Sequence, residues 1–207
     1  MKSPKLRPEW VTPARTALLV IDIQADFAAE DGAMARKGAD MTTIFPAVEN
    51  AKRLVEAARE GGLMRVFTRA VTAPHLETPI EREAKARRGD DGPGVCHEGS
   101  PGAEFVEPRP HAEEPVVTKH RYSIFAGTGL AEKLKGRGID TLVLCGLTTE
   151  CCIQSSAWDA FERDFHVVIA ADAVAAYQTE LHRAALTALE MNGAILAQTA
   201  SLVAAWK

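Results

Sequence analysis

Apolar residues along this chain gather in six short runs: "TALLVID" (16–22), "GLMRVFTR" (62–69), "EPVVTK" (114–119), "DTLVLCG" (140–146), "FHVVIAAD" (165–172) and "GAILAQ" (193–198). Each is too short for a core helix and is bounded by polar or turn residues, so each predicts a strand buried on both faces. Between most of them apolar residues recur at helical spacing, over 42–62, 127–138, 148–164 and 178–193. The first two of these stretches close on glycine, and the last begins with Thr179 as its expected cap. Strands alternating with helices predict an α/β fold: three layers, with a Rossmann-like, six-stranded parallel sheet covered by helices on both faces.

Residues 71–114 break the rhythm, being rich in proline, glycine and charge with little apolar periodicity. A structureless connection of that length is uncommon in a compact domain, so the segment predicts an irregular insertion that shapes a site rim or a subunit contact, or else a solvated loop. The rest reads as one domain over 1–207. Composition narrows the function classes: 46% hydrophobic, 25% charged and a net charge of −4 describe an ordinary soluble protein. No basic face offers the phosphate contacts that nucleic acid requires, and no run approaches the roughly 18 apolar residues of a membrane helix. The prolines of the N-terminal segment interrupt any secretory signal core, which predicts a cytoplasmic protein. Cysteines 96, 145, 151 and 152 do not form a disulfide framework, since vicinal Cys151 and Cys152 bridge only through a strained ring. "GTGLAEKLKG" lacks the ending of a phosphate-binding loop.

Parallel sheets bind ligands beyond the carboxyl ends of their strands, where three chemically useful residues fall. Asp22 closes the first run, Lys119 closes the third, and Cys151 and Cys152 follow the fourth where a helical pattern starts. A thiol at a helix start near an ammonium is expected to ionise readily, and a carboxylate beside it could carry the proton, an arrangement suited to acyl transfer. Taken singly, each residue has a plainer role: Asp22 in a turn, Lys119 in solvent, a cysteine in the core.

Three motifs together resemble the isochorismatase-like cysteine hydrolases: "ALLVIDIQADF", "VVTKHRYSIFAGTGL" and "GLTTECCIQSSAWDA". The resemblance runs from about Thr16 to the C-terminus. Carried over residue by residue, it implies a catalytic triad of Asp22, Lys119 and Cys152, with Cys151 at a position the motif lets vary. It implies a cis peptide between Leu147 and Thr148, and backbone N–H groups of Thr148 and Cys152 as an oxyanion hole. It further implies a homo-oligomer, dimer or tetramer, and a small amide or ureide as substrate, cleaved at a C–N bond through a thioester. An isochorismatase-type vinyl-ether hydrolase and a nicotinamidase-like amidase stay open, as does a redox or assembly protein on the same scaffold. Phe27, Arg69 and Tyr122 are candidate substrate contacts, Arg121 is a second candidate for a substrate carboxylate, and Phe125 is expected in the core. No cofactor and no metal is expected: nicotinamidases of the superfamily carry an Asp-x-His pair, whereas His75, His97 and His111 stand without ligand spacing.

Overall fold

The computed structural model describes residues 4–89, 92 and 94–207; positions 1–3, in the expected domain, and 90, 91 and 93, in the expected insertion, lie outside the described residues. All six predicted strands are present, as β1 (Thr16–Ile21), β2 (Met64–Ala70), β3 (Val116–Lys119), β4 (Thr141–Leu147), β5 (His166–Ala175) and β6 (Ile195–Ala197). They pair in parallel in the order β3-β2-β1-β4-β5-β6. The helices are α1 (Ala25–Ala28), α2 (Ala33–Arg36), α3 (Ile44–Glu60), α4 (Pro79–Arg87), α5 (Leu130–Lys135), α6 (Gln154–Phe161), α7 (Thr179–Met191) and α8 (Thr199–Ala205).

The period of two along β1 divides the core. Leu18 and Val20 pack with Leu54, Ala58 and Leu202 of α3 and α8, whereas Ala17, Leu19 and Ile21 pack with Leu134, Ala157 and Leu189 of α5, α6 and α7. Both faces of the sheet are thereby covered, which is why β1 and β4 read as unbroken apolar runs. Strand order reverses between β1 and β4, so a crevice opens beyond their carboxyl ends. There β4 comes very close to β1: a Cβ on Gly146 would lie 2.0 Å from the Ile21 carbonyl oxygen, and Gly146 has φ 114°, so only glycine fits.

Three local expectations are corrected. Gln178, not Thr179, occupies the N-cap of α7, and Thr179 is its first helical residue. The helical stretch after β4 opens with a π-helical turn, Thr149–Ile153, before α6 begins. The insertion is not wholly irregular: α4 lies within it, started by a capping box in which Thr78 Oγ1 accepts from the Glu81 N–H (3.2 Å) and Glu81 Oε2 accepts from the Thr78 N–H (2.7 Å). That signature, "TPIE", stands in the sequence with proline at the first helical position.

Where the insertion returns to the sheet, Glu114 is buried between two guanidinium groups, with Arg59 at 2.7 Å and Arg65 at 2.7 Å. Burial alone would raise its pKa, but hydrogen bonds from Arg59, the His111 N–H and Arg65 outweigh it and hold the carboxyl at about 2. A carboxyl depressed on folding stabilises the native state above its unfolded pKa and loses that contribution as pH falls through the folded value. We therefore expect acid unfolding to cost Glu114 on the order of 3 kcal/mol between pH ~4.5 and ~2. Glu114→Gln should flatten the low-pH limb of a denaturation series; an unchanged limb would contradict the assignment.

Candidate active site

The three residues singled out at strand ends come together at the crevice. Lys119 Nζ lies 2.8 Å from Asp22 Oδ2 and donates to Cys152 Sγ at 3.3 Å, with all three side chains buried. Asp22 leaves β1 in the left-handed region (φ 53°), unusual for a residue with a side chain. Its N–H donates to the Thr68 carbonyl (3.1 Å), and Thr68 Oγ1 donates to its Oδ1 (2.9 Å), so the end of β2 fixes its rotamer. The approach of Lys119 to Oδ2 is a charge contact lying off the hydrogen-bonding direction, which leaves that oxygen with lone-pair capacity to take a proton.

Burial pulls the Lys119 pKa down, but the charges of Asp22 and Cys152 and its close contacts with both overcome it and raise the value. Lys119 is thus held as an ammonium. Its Nζ donates further to the Arg121 carbonyl at 3.0 Å.

The thiols depart from the expectation of ready ionisation. Cys152 is held well above the ordinary thiol range by its hydrogen bond with Cys151, by burial and by the Asp22 charge, against the opposing pull of Lys119. Cys151, half-buried, is lowered chiefly by that same hydrogen bond. The hydrogen bond with Cys151, burial and the neighbouring carboxylate together outweigh Lys119 at Cys152, so its resting form is a thiol that needs a base. In a Cys151→Ala protein, where burial and the Asp22 charge remain to act on the sulfur, the 240 nm thiolate absorbance of Cys152 should still be missing at pH 7 and appear only on alkaline titration. A thiolate already formed at neutral pH would contradict this reading. Cys96 and Cys145 are fully buried and pushed up by burial, which leaves them inert.

The Leu147–Thr148 peptide is cis, and the Thr148 carbonyl accepts from the N–H groups of Cys151 (3.2 Å) and Ile153 (3.1 Å) as the π-helical turn starts. Thr149 is buried beneath that turn and shares a 2.9 Å hydrogen bond with His182 Nδ1 of α7. The His182 pKa is lowered by burial and then by Arg183.

Sequence reasoning did not single out the residues that tie the site to its rim. Gln24 is buried and clamps the chain after Asp22: its Nε2 donates to the carbonyls of Ala70 (2.9 Å) and Ala103 (2.8 Å), and its Oε1 accepts from the Ala70 N–H (2.8 Å). Asp26 accepts from the N–H groups of Ala33 (3.1 Å) and Cys96 (2.7 Å). Gly102 passes so close that a Cβ there would lie 2.2 Å from Asp26 Oδ2. The "IDIQAD" segment thus pins the insertion against the ends of β1 and β2.

The candidate substrate contacts fare differently. Phe27 is half-buried, with its carbonyl accepting from Tyr177 Oη at 2.9 Å. Tyr122 is 63% exposed, and its phenol is raised first by the charge at Cys151. Arg69 donates from its Nε to Thr118 Oγ1 on β3 at 3.1 Å. Arg121 pairs with Glu81 at 3.4 Å. Phe125 is core and stacks on Phe165. Two clefts are lined by residues other than the triad. One, of about 370 Å³, lies under the insertion between Thr72, Lys85 and His97; the other, of about 200 Å³, lies between Thr43, Asp172 and His182. Among the described residues no three His, Cys, Asp or Glu side chains converge as a metal site, and no helix is long and apolar enough to cross a membrane.

A six-stranded parallel sheet between two helical layers, whose switch point joins an acid, an ammonium and a thiol, is the architecture of a cysteine hydrolase. The Isochorismatase domain matches residues 16–201, and the chain belongs to that family. A ureidoacrylate amidohydrolase (RutB) of Methylobacterium radiotolerans is 30% identical over 199 residues, covering 89% of this chain and 77% of its own. Among solved structures, an isochorismatase family protein from Desulfovibrio vulgaris superposes with a TM-score of 0.78 at 28% identity, over 91% of this chain and 96% of its own. N-carbamoylsarcosine amidase from Thermoplasma acidophilum gives 0.72 at 29%, over 89% and 96%.

Proposed function

We propose that this protein hydrolyses a small amide or ureide with Cys152 as the nucleophile, Asp22 as the proton carrier and Lys119 as the fixed charge between them. The observation that carries the reading is Lys119 Nζ standing 2.8 Å from Asp22 Oδ2 and 3.3 Å from Cys152 Sγ in a buried site. Asp22 takes the Cys152 proton as sulfur attacks the carbonyl carbon. The oxyanion that forms is met by the N–H groups of Thr148 and Cys152. When the C–N bond breaks, Asp22 returns the proton to the departing nitrogen, leaving a thioester. Water, deprotonated by Asp22, then adds to the thioester, and the thiol leaves with that proton.

Lys119 supports the sequence throughout. Its ammonium offsets the thiolate as it develops, and being pinned by two groups it needs no rearrangement to do so. The ureide class is favoured by the names of two relatives, ureidoacrylate amidohydrolase and N-carbamoylsarcosine amidase. Chemistry of this kind needs no metal or cofactor. The reading extends to one catalytic unit over 1–207 and to a cytoplasmic homo-oligomer, dimer or tetramer. The exposed apolar side chains of Ile80, Val116 and Met191 are candidates for cover by another copy. The test is an ammonia-release screen over ureides, nicotinamide and small primary amides, with Cys152→Ala as control. Release from at least one of them, lost in the control, is the expected result; equal release by the control would overturn it.

A further inference from the structure

Cys152 rides on a π-helical turn, Thr149–Ile153, a form wider than an α-helical turn and met mostly as a single turn at functional sites. The Ile153 N–H donates to the Thr148 carbonyl at its start (3.1 Å), and the Gln154 N–H donates to the Thr149 carbonyl where α6 takes over. The first two side chains of the turn tie it in different ways. Glu150 Oε1 accepts from Thr148 Oγ1 at 3.1 Å, but both ends of that bond belong to the same short segment and move with it. The tie made by Thr149 leaves the segment: its Oγ1 shares a 2.9 Å hydrogen bond with His182 Nδ1 of α7.

Both ends of that bond are built to hold. Thr149 is fully buried, so a hydroxyl deprived of its partner there stays unpaired instead of turning to water. His182 stands in the first turn of α7, a helix seated on the core through Ala185 and Leu189, and its N–H donates to the Gln178 carbonyl at 3.1 Å. Charged groups around the ring include Arg183 on its own helix and Asp172 of β5, which lines the same cleft. Burial and then Arg183 lower its pKa, so the ring is neutral at pH 7. Three residues beyond Thr149, Cys152 Sγ meets Lys119 Nζ at 3.3 Å. Lys119 ends β3 and Asp22 is fixed by Thr68 of β2, so a shift of the turn moves the sulfur against partners that do not follow it. Misplacement of a reacting atom by about 1 Å is enough to cost on the order of a hundredfold in rate.

We propose that His182 is a positioning residue: through Thr149 it anchors the nucleophile turn to α7 and so keeps Cys152 in its buried seat beside Lys119. This rests on Cys152 being the nucleophile, and the test needs no substrate. In a Cys151→Ala background, the rate of Cys152 alkylation by iodoacetamide is followed against pH, with peptide mapping to locate the label. Burial and the Asp22 charge hold this thiol up, so a loosened turn lets it fall toward the ordinary thiol value. His182→Leu and Thr149→Val should each lower the midpoint of the profile by about one unit and raise the rate at pH 7 by about fivefold to tenfold. The double variant should do no more than either, because the two side chains form one interaction. His182→Asn places an amide the same number of bonds from the backbone as Nδ1, and Thr149→Ser keeps the hydroxyl. Both should return the rate at pH 7 to within about twofold of the background protein. A purely structural role would lower the melting temperature and leave the profile in place. An unchanged or raised midpoint in variants whose circular dichroism is native, or an Asn variant that behaves like the Leu one, overturns the proposal. Thr149→Val, close to threonine in volume, carries the test if His182→Leu does not fold. Failure of the hydrolase reading shows up separately, as no ammonia release in the screen of ureides and amides.

Discussion

Cys152→Ala should lower kcat/KM by roughly 10⁴-fold or more, because the covalent step disappears with the sulfur. The same substitution should leave the melting temperature within a few degrees, since it removes one buried thiol and no backbone contact. Cys151→Ala is the paired control. Cys151 is half-buried and stands outside the Asp22–Lys119–Cys152 contacts, so although it adjoins Cys152 its variant should keep activity within a few-fold of the starting protein. If the two variants exchange these outcomes, the nucleophile is Cys151.

Lys119→Met carries the second large effect, and it strikes stability as well as rate. Asp22 is fully buried, and its oxygens meet Thr68 and Lys119. Removing the ammonium while keeping the side-chain volume strands a carboxylate in the interior, at about 3–5 kcal/mol. For a chain of 207 residues that corresponds to a fall of roughly 10 °C in Tm. Activity should fall with it, since nothing then offsets the developing thiolate. The double variant Asp22→Asn with Lys119→Met should recover much of the melting temperature and none of the activity. Loss of stability without recovery in the double variant would mean that Lys119 matters for packing and not for its charge.

Much of this arrangement was legible in the sequence because parallel strands buried on both faces leave continuous apolar runs. The residues ending such runs at a switch point are brought together by topology alone. Asp22 and Cys152 follow β1 and β4, the neighbours flanking that point, and Lys119 reaches in from β3 across β2. The roles of Thr68, Gln24 and Asp26 were not legible, since each depends on which strand or loop lies alongside. Gln24 matters because β2 ends beside it and Ala103 returns over it, a juxtaposition no local pattern encodes. The capping box of α4 was encoded locally, in "TPIE", but the polar surroundings of 71–114 masked it. The titration of Cys152 ran against expectation for a physical reason. Position at the start of a helical segment favours thiolate, but the hydrogen bond with Cys151, burial and the Asp22 charge act on the same sulfur and prevail.

The central claim is that a carbonyl carbon becomes bonded to Cys152 during turnover. Its most direct measurement is to quench the enzyme in acid during reaction with a ureide or amide it turns over and to map the modified peptide by mass spectrometry. The account predicts an acyl mass on Cys152 that hydroxylamine removes and that Cys152→Ala never shows. An acyl group on Cys151, or sustained turnover by Cys152→Ala, would contradict it.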